Sequence, residues 1–485
     1  MSRIVVLGAG ISGHTAASYL RKLLPKEHEV VVISPNSKWN WIPSNIWVGV
    51  GEMEPEDVTF ELGPIYKKAG IVFKQAKAIA IYPEGSSTIS KPFVQIEHTS
   101  KESFGNQENI EYDYLINTTG PKLNFEATQG LGPEKNSLSV CSAQHAKETA
   151  KELKKTIETM KKGKNAVFLV GTGHGQSTCQ GAAFEYAFNL DFILKKEKVK
   201  DKAKIVYITN EYELGDFGMG GVHIKNGGYL THTKTFTESL FTERNVSWIK
   251  RAHVYKVEPN KAYYETLSGN HNEIEFDFAM LIPPFAGVGL KAYNKLNEDI
   301  TQTLFVPNGF MKVDADYTQK PYEEWKASDW PKTYQNPTYK NIFAAGIAFA
   351  PPHSISKPMK SSNGTPIFPT PPRTGMPSAI IGRNCALNII DMIKYGNQTP
   401  KHTASMAEIG AACVASTGAG FFSGTAASIT VYPIVPDFEK YPEYGRDLLY
   451  TFGEIGLAGH WIKLLLHYGF IYKAKLKPFW FILPE

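Results

Sequence analysis

The segment 167–188 (VFLVGTGHGQSTCQGAAFEYAF) places a cysteine in a setting suited to chemistry. It is predicted to form a buried strand, a glycine-rich turn and an apolar helix, with Cys179 early in that helix. The partial positive charge of a helix N-terminus stabilises a thiolate, so a cysteine there is a candidate nucleophile. We therefore expect sulfur chemistry at Cys179.

The other cysteines differ in their surroundings. Cys141 follows a polar stretch in NSLSVCSAQHA, and Cys413 lies in AACVASTGAGFF. Cys385 stands among apolar residues of a predicted helix, where we expect an inert core residue. Four scattered cysteines are too few for a disulfide scaffold and lack the CxxC spacing of a zinc site, so no metal is expected.

The N-terminal residues 3–34 predict the elements of a nucleotide-binding fold. Gly8, Gly10 and Gly13 form a GxGxxG motif between a predicted strand and a predicted helix. These glycines allow a tight turn, a close approach of the backbone to a pyrophosphate, and packing of the helix on the strand. Asn36 stands near the position where an acid usually binds the ribose, and we expect it to make that hydrogen bond.

Three later segments are typical of FAD enzymes with two dinucleotide folds. They are the strand YDYLINTTGPK, the strand of YKNIFAAG, and PPRTG before a helix. The usual acid after the second of these strands is replaced by Ile347. The cofactor-binding residues expected in these segments are Thr119, Gly120, Gly346, Arg373, Thr374 and Gly375.

A second strand–turn–helix–strand unit is predicted at about residues 165–210. Its turn reads GxGxG, with Gln176 where a nicotinamide-binding turn usually has glycine. Glu211 follows the second strand and could bind the ribose of NAD, so a nicotinamide site stays open. The predicted fold class is α/β, with two Rossmann-like domains, one of FAD type and one of vestigial NAD type.

Composition limits the classes of function. With 485 residues, 42% hydrophobic and 20% charged, the chain is typical of a globular protein with several domains. The net charge of +5 is mildly basic, but no dense Lys/Arg cluster is interleaved with aromatic residues, so nucleic acid is not an expected partner. No run of about 18 apolar residues predicts a membrane-spanning helix.

In their order, these motifs resemble those of sulfide:quinone oxidoreductases, in the flavoprotein disulfide reductase superfamily. The resemblance covers residues 3 to about 425 and includes VVLGAGISG, SVCSAQHA, STCQGAAFEYAF and AACVASTGAGFF. It implies FAD as cofactor, oxidation of sulfide to polysulfide or elemental sulfur, and transfer of two electrons to a membrane quinone. The residues 223–233 and 316–335 look like loops added to the family pattern.

The resemblance also implies roles for individual residues. Cys179 and Cys413 would form the redox pair beside the flavin. Cys141 would either help product release or attach to the flavin, and its role stays open. Glu185 would relay protons near the quinone. The residues expected to sandwich the quinone ring are Phe421 and Phe422.

The C-terminal tail, residues 444–485, bears on the electron acceptor. Leu448, Phe452 and Ile455 lie at helical spacing, as do residues 461–468, and lysines flank them. This pattern favours amphipathic helices that lie in one leaflet of a membrane; the alternative is a helix pair packed on its own domain or on a partner subunit. We expect peripheral, monotopic association with the cytoplasmic membrane, on a side that the sequence does not define.

Other functions stay open at this point. A flavoprotein subunit of a sulfide dehydrogenase would donate electrons to a cytochrome, but it normally has an export signal, for which we expect no room before the first strand. A type II NADH:quinone oxidoreductase would need a complete second GxGxxG and has no use for Cys179 and Cys413. A redox sensor or scaffold would follow if the cysteines cannot reach each other.

The expected organisation has four regions, and we expect a homo-oligomer. The regions are 1–164 (first part of the FAD-binding domain), 165–290 (second Rossmann-like domain, with a redox cysteine), 291–390 (return to the FAD domain) and 391–485 (quinone- and membrane-binding region).

Overall fold

The helices and strands are taken from a computed structural model that describes residues 1–373, 375–396 and 399–485. The helices are α1 (Ile11–Leu23), α2 (Asn45–Gly49), α3 (Pro55–Val58), α4 (Leu62–Ala69), α5 (Ala143–Lys161), α6 (Gln180–Lys196), α7 (Thr233–Glu243), α8 (Thr301–Leu304), α9 (Met376–Tyr395) and α10 (Leu457–Ala474). The strands are β1 (Arg3–Leu7), β2 (Glu29–Ser34), β3 (Lys38–Asn40), β4 (Thr59–Glu61), β5 (Val72–Tyr82), β6 (Phe93–His98), β7 (Gln107–Glu111), β8 (Tyr114–Asn117), β9 (Lys122–Leu123), β10 (Ala166–Thr172), β11 (Ala203–Ile208), β12 (His223–Asn226), β13 (Tyr229–His232), β14 (Val246–Ile249), β15 (Ala252–Glu258), β16 (Lys261–Thr266), β17 (His271–Glu275), β18 (Phe278–Ile282), β19 (Phe285–Ala286), β20 (Lys291–Ala292), β21 (Ile342–Ala344), β22 (Ala411–Gly420), β23 (Ser423–Val431) and β24 (Phe452–Gly456).

The first sheet contains the N-terminal nucleotide-binding motif. Its strands lie in the order β21-β8-β1-β2-β5, all parallel, and β6 and β7 extend it in antiparallel fashion. The apolar runs in β1 and β2 are buried, as expected for parallel strands covered on both faces. Because β21 comes from the second half of the chain, this sheet joins segments more than two hundred residues apart.

The second sheet holds the glycine-rich turn that precedes Cys179. Its strands β14-β11-β10-β18 are all parallel, and α6 follows β10 through that turn. An antiparallel meander, β15-β16-β17, lies beside it in the sequence. The order of elements is that of a second Rossmann-like unit, as the sequence predicts.

The third sheet brings the C-terminal region together with the region 223–232. Its order is β13-β12-β24-β23-β22, with α10 packed against it. The loop expected at 223–233 is a β-hairpin, because Gly227 and Gly228 both take the positive φ that a tight hairpin turn needs. The prediction of surface loop for 316–335 also fails in part, since Trp330 is buried in the core.

The helical interpretation of the first half of the tail is wrong. Phe452 to Gly456 form β24, which pairs with β23, so Phe452 and Ile455 lie on opposite faces of a strand and not on one face of a helix. Only the second half is helical. No helix in the described part of the chain is long and apolar enough to cross a membrane.

Helix α10 is turned with charged residues inward and apolar residues outward. Lys463 and Lys473, which the sequence places as flanking surface lysines, are both buried. The side chains of Leu465 and Tyr468 are instead 72% and 63% exposed. An exposed apolar helix face with its charges directed into the protein is typical of a surface that meets lipid or another protein.

Candidate functional site

The GxGxxG turn of the first sheet forms a concave backbone surface, called the cradle below, in which two glycines leave no room for a side chain. A Cβ on Gly8 would lie 2.2 Å from the carbonyl oxygen of Thr118, and a Cβ on Gly13 would lie 2.1 Å from that of Gly8. At Gly10, by contrast, there is open space in front of the N-terminus of α1. The Oγ of Ser12 in the same turn is buried and has no hydrogen-bond partner among the described residues. These features fit a bound pyrophosphate.

The other predicted cofactor residues surround this cradle or extend from it. Asn36 is exposed just after β2, and Thr119 donates from Oγ1 to Asn117 Oδ1 (2.9 Å) just after β8. Gly346 has a φ of +65°, and a Cβ there would lie 3.0 Å from Ser12 Cβ. Two further positions in left-handed backbone are Gly120 and Gly375, the latter capping α9. Thr374 lies outside the described residues.

Arg373 is a buried cation in this region. Its Nη1 donates to the carbonyl oxygens of Ile347 (2.9 Å) and Phe349, so it holds the backbone just after Gly346. The guanidinium also lies over the ring of Phe310 at 4.4 Å. Burial lowers the pKa of Arg373 to about 9, and the interaction with Cys179 opposes that shift.

Cys179 is the residue immediately before α6, not a residue within the helix as expected. It adopts φ +64°, a left-handed backbone that is uncommon for a residue with a side chain. The neighbouring Gln180 fixes this turn: its backbone oxygen accepts from Tyr207 Oη (3.2 Å), and its Nε2 donates to Asn210 Oδ1 (2.9 Å). Cys179 therefore lies at the positive end of α6.

The structure brings Cys413 to the same helix end. Cys413 lies in β22, which packs along α6, and a Cβ on Gly181 would be only 2.9 Å from Cys413 Sγ. Asn189 of α6 holds the two elements together by donating to Ser416 O (2.7 Å). Burial of the sulfur, with Glu185 close by, raises the pKa of Cys413 to about 11.

Glu185 lies one helical turn further, in a buried polar cluster between α6, β22 and α10. Its Oε2 accepts from Lys463 Nζ (3.2 Å) and its Oε1 from the backbone N–H of Ser416 (3.2 Å). Ser416 Oγ and His460 Nδ1 are 2.6 Å apart; because His460 Nε2 donates to Gly420 O, Nδ1 accepts from the hydroxyl. Burial raises the pKa of Glu185, although Lys463 acts in the opposite direction.

Lys463 and His460 were missed in the sequence interpretation, but they leave a signal. His460, Lys463 and His467 recur at intervals of three and four in an otherwise apolar helix, so they share one face. All three are buried. Polar residues that share one face of an apolar helix are expected to point into the protein. The spacing of these three residues therefore predicts their burial near a site.

Cys141 and Cys385 lie in different surroundings. Cys141 precedes α5, where its backbone N–H donates to Ser139 Oγ (3.1 Å), and burial raises the pKa of its thiol to about 11. Cys385 is fully buried in α9, as expected for a core residue.

The second glycine turn is filled by the chain itself. A Cβ on Gly175 would lie 2.4 Å from Pro366 O, and the backbone N–H of Phe368 donates to Gly175 O (2.9 Å). Glu211 is fully buried and accepts from Thr209 Oγ1 (2.8 Å) and the N–H of Phe217 (2.8 Å). The acid that would bind an NAD ribose is therefore turned into the protein.

The residues predicted to contact quinone lie at a hairpin tip. Phe421 and Phe422 join β22 to β23 and are 58% and 88% exposed. Trp461 of α10 stacks on Phe421 (ring centroids 5.7 Å apart) and donates from Nε1 to Phe421 O (2.9 Å). The tip thus continues the exposed apolar face of α10.

Comparison with known proteins identifies the family of this chain. The family model described as pyridine nucleotide-disulphide oxidoreductase matches residues 2–175. The sulfide-quinone reductase of Aquifex aeolicus (strain VF5) is 30% identical over 476 residues, which cover 97% of this chain and 91% of the relative. The chain belongs to the sulfide-quinone reductase family. The crystal structure of the sulfide:quinone oxidoreductase from A. aeolicus matches this chain with a TM-score of 0.74 and 29% identity, over 98% of this chain and 92% of that one.

A more distant relative of this sulfide-quinone reductase homologue is the mitochondrial sulfide:quinone oxidoreductase of Dictyostelium discoideum. It is 23% identical over 351 residues, covering 71% of this chain and 65% of the relative. Membership in the family confirms three sequence predictions: an enzyme of the sulfide-quinone reductase type, an α/β fold with two Rossmann-like units, and FAD as cofactor.

Proposed function

We propose that this enzyme oxidises sulfide at Cys179 and Cys413 and passes the electrons through FAD to a quinone in a membrane. The observation that carries the proposal is the position of Cys413 Sγ, which would lie 2.9 Å from a Cβ on Gly181, two residues after Cys179. It brings two cysteine-bearing segments together at the positive end of α6. FAD, when bound, supplies a two-electron acceptor that can be reoxidised by a quinone.

The proposed reaction starts from an oxidised enzyme in which Cys179 and Cys413, both thiols in this structure, are joined by a disulfide. Hydrosulfide attacks the Cys179–Cys413 disulfide, the sulfur–sulfur bond breaks, and the products are one cysteine persulfide and one cysteine thiolate. Loss of two electrons and one proton then joins the persulfide and the thiolate as a trisulfide. Each further hydrosulfide lengthens the bridge by one sulfur atom through the same attack and the same loss of two electrons and one proton. For release, the cysteine thiolate formed by such an attack displaces the sulfur chain from the other cysteine, which restores the disulfide and frees a polysulfide, from which elemental sulfur can form. FAD, held at the turn of Gly8, Gly10 and Gly13, would take up the two electrons, and a quinone would accept them together with two protons.

Glu185 is proposed to accept and release protons during this reaction. It is buried close to Cys413, and its raised pKa brings a carboxyl group closer to the range in which it can exchange protons at neutral pH. The Lys463 ammonium keeps the carboxyl in place and retains part of its acidity. The Ser416 N–H fixes the other oxygen.

The exposed apolar face is proposed to rest on the membrane that holds the quinone. It consists of the hairpin tip with Phe421 and Phe422, the outer side of α10 and the segment around Phe479 and Ile482. Peripheral, monotopic binding fits a face that is apolar and lies next to the Glu185 cluster. We retain the proposal that Phe421 and Phe422 contact the quinone ring.

Anaerobic reduction of the purified holoenzyme tests the proposal. Sulfide should bleach the flavin absorbance, and a soluble quinone should restore it. Cys179→Ser and Cys413→Ser should each lower sulfide-dependent quinone reduction at least about 100-fold while FAD stays bound. Cys385→Ala, which alters a core cysteine, serves as the matched control and should keep its activity.

Other acceptors and donors give different results in the same experiment. Bleaching by NADH would refute the proposal, and the filled turn at Gly175 with the buried Glu211 makes that result unexpected. Reoxidation by a cytochrome but not by quinone would favour a sulfide dehydrogenase. Full activity in either cysteine variant would refute the assignment of Cys179 and Cys413 as the redox pair.

A further inference from the structure

Arg373 is a buried positive charge for which the described residues provide no carboxylate partner. Its side chain is 4% exposed, and the groups that act on it electrostatically are Cys179 and Tyr317. Its Nη1 donates only to backbone carbonyls, and its Nε has no acceptor among the described residues. Carbonyl dipoles and the Phe310 ring stabilise a guanidinium in part, but a charge in such an environment is normally balanced by an anion.

Of these two protein side chains, only that of Cys179 can carry a negative charge near neutral pH. Burial raises the pKa of Tyr317, whose hydroxyl donates to Ala350 O (2.9 Å), so the phenol stays neutral. A thiolate at Cys179 would supply a negative charge that stabilises the Arg373 guanidinium. Since a Coulomb interaction acts equally on both partners, a thiolate that favours the charged guanidinium is itself favoured by it.

Backbone hydrogen bonds hold the Arg373 segment against the Cys179 turn. Thr178 Oγ1 donates to Thr370 O (3.1 Å), and the backbone N–H of Thr370 donates to Ser177 O (3.3 Å). On its other side, Arg373 is fixed by Phe349 and by Ser378, whose hydroxyl donates to Arg373 O. The guanidinium is therefore placed by the fold and cannot simply turn out to solvent.

We infer that Arg373 is the counter-ion of an anionic sulfur at Cys179 and keeps that cysteine ionised in the reduced enzyme. Arg373 is in this sense a positioning residue that acts through Cys179. The inference rests on the proposed function only in giving Cys179 a redox role. The inference also predicts that the two thiols differ in how readily they ionise. Cys413 lies beside the Glu185 carboxyl, which opposes a thiolate, whereas the Arg373 guanidinium and the N-terminus of α6 favour a thiolate at Cys179.

Alkylation of the reduced holoenzyme across a pH series tests the inference. Iodoacetamide labelling, followed by mass spectrometry of the cysteine peptides, reports the thiolate fraction at each cysteine. The midpoint is the pH at which Cys179 is labelled at half its maximal rate. We expect Arg373→Met to raise this midpoint by at least one pH unit, which lowers the labelling rate of Cys179 near pH 7 about tenfold. Arg373→Lys, which keeps a charge, should move it by less than half as much.

Two internal references make the result specific. Cys413 in the same samples should show no comparable shift, and Arg383→Met, which removes an arginine from α9, should leave Cys179 unchanged. A Cys179 profile in Arg373→Met that superimposes on the wild type, with FAD retained, overturns the inference. If Arg373→Met does not fold, the wild-type profile decides: a midpoint at or above the ordinary thiol value of about 8.5 overturns it.

Because neither sulfide nor quinone enters this experiment, its outcome is independent of the proposed function. A low midpoint that rises in Arg373→Met supports the inference even if Cys179→Ser retains sulfide-dependent quinone reduction. Conversely, an inactive Cys179→Ser with an unshifted labelling profile leaves the proposed function standing and removes the role of Arg373.

Discussion

Gly181 is the residue at which the two cysteine-bearing segments touch. A Cβ at this position would lie 2.9 Å from Cys413 Sγ, so Gly181→Ala must push β22 away from α6 or displace the sulfur. We predict a loss of at least about tenfold in sulfide-dependent quinone reduction, because a shift of about 1 Å in a reacting group is costly.

Gly469→Ala provides the matched control for this change. Gly469 also lies within a helix, but a Cβ there meets nothing within 4 Å, so alanine should leave the activity unchanged. FAD content and thermal unfolding should be measured for both variants. An active Gly181→Ala enzyme with wild-type turnover would show that the two sulfurs need not be held so closely.

The ion pair between Glu185 and Lys463 is the second feature argued from single residues. Lys463 lowers the pKa of Glu185, so Lys463→Met should raise that pKa further and keep the carboxyl protonated to higher pH. The acid limb of the pH profile of quinone reduction should then move to higher pH. Removal of one partner of a buried pair should also cost about 3 kcal/mol in the free energy of unfolding.

Lys477→Met, at an exposed lysine just after α10, is the control for loss of charge alone. Its pH profile and unfolding should match those of the wild type. A Lys463→Met enzyme that loses stability but keeps the wild-type pH profile would assign Glu185 a purely structural role.

Among the elements, α10 shows what sequence patterns can and cannot define. The strand–turn–helix units around Gly8 and Gly173 were predictable because apolar periodicity and glycine spacing are local signals. The tail at 444–485 was predicted to form amphipathic helices, but β24 was missed. Its strand conformation depends on pairing with β23, which lies more than twenty residues earlier in the chain. The direction of α10 was also missed: Lys463 looks like a surface lysine until its partner on α6 is known.

The hairpin tip between β22 and β23 can be tested without disturbing the core. Phe421 and Phe422 are exposed, so replacing both by serine should leave folding and FAD binding intact while reducing co-sedimentation with lipid vesicles several-fold. Phe104→Ser is the control, because Phe104 is 76% exposed but lies between β6 and β7 of the first sheet.

The rate of soluble-quinone reduction distinguishes the two roles proposed for this tip, which are contact with lipid and binding of the quinone ring. If Phe421 and Phe422 only contact lipid, the double variant should reduce a soluble quinone at the wild-type rate. If they also bind the quinone ring, the KM for that quinone should rise. Unchanged vesicle binding would contradict a membrane role of the tip.

At the scale of the whole molecule, the site is assembled from distant parts of the chain. The turn before α6, β22 and α10 contribute Cys179, Cys413 and Lys463, and the Gly346 loop is tied in through Arg373. Family motifs in the sequence pointed to the cysteines and to Arg373 as a cofactor residue, but not to the pairing of Lys463 with Glu185 or to the interaction of Arg373 with Cys179. The spacing of His460, Lys463 and His467 predicts a buried polar face on α10, but which acid this face meets depends on how α10 packs against α6, and no local pattern of residues encodes that.

The buried Glu211, which follows β11, makes the stability of the whole protein depend on pH. Burial raises the pKa of Glu211 to about 8, well above the usual value of 4.5, so the folded protein keeps a proton that the unfolded chain loses. The stabilisation is complete below pH 4.5 and is lost as the pH rises towards 8, by at most about 5 kcal/mol. Glu211→Gln, which mimics the protonated acid, should show a flatter dependence of Tm on pH between 5 and 8. Glu443→Gln, at an exposed site, should follow the wild type; an equally steep fall in Glu211→Gln would assign the pH dependence to other groups.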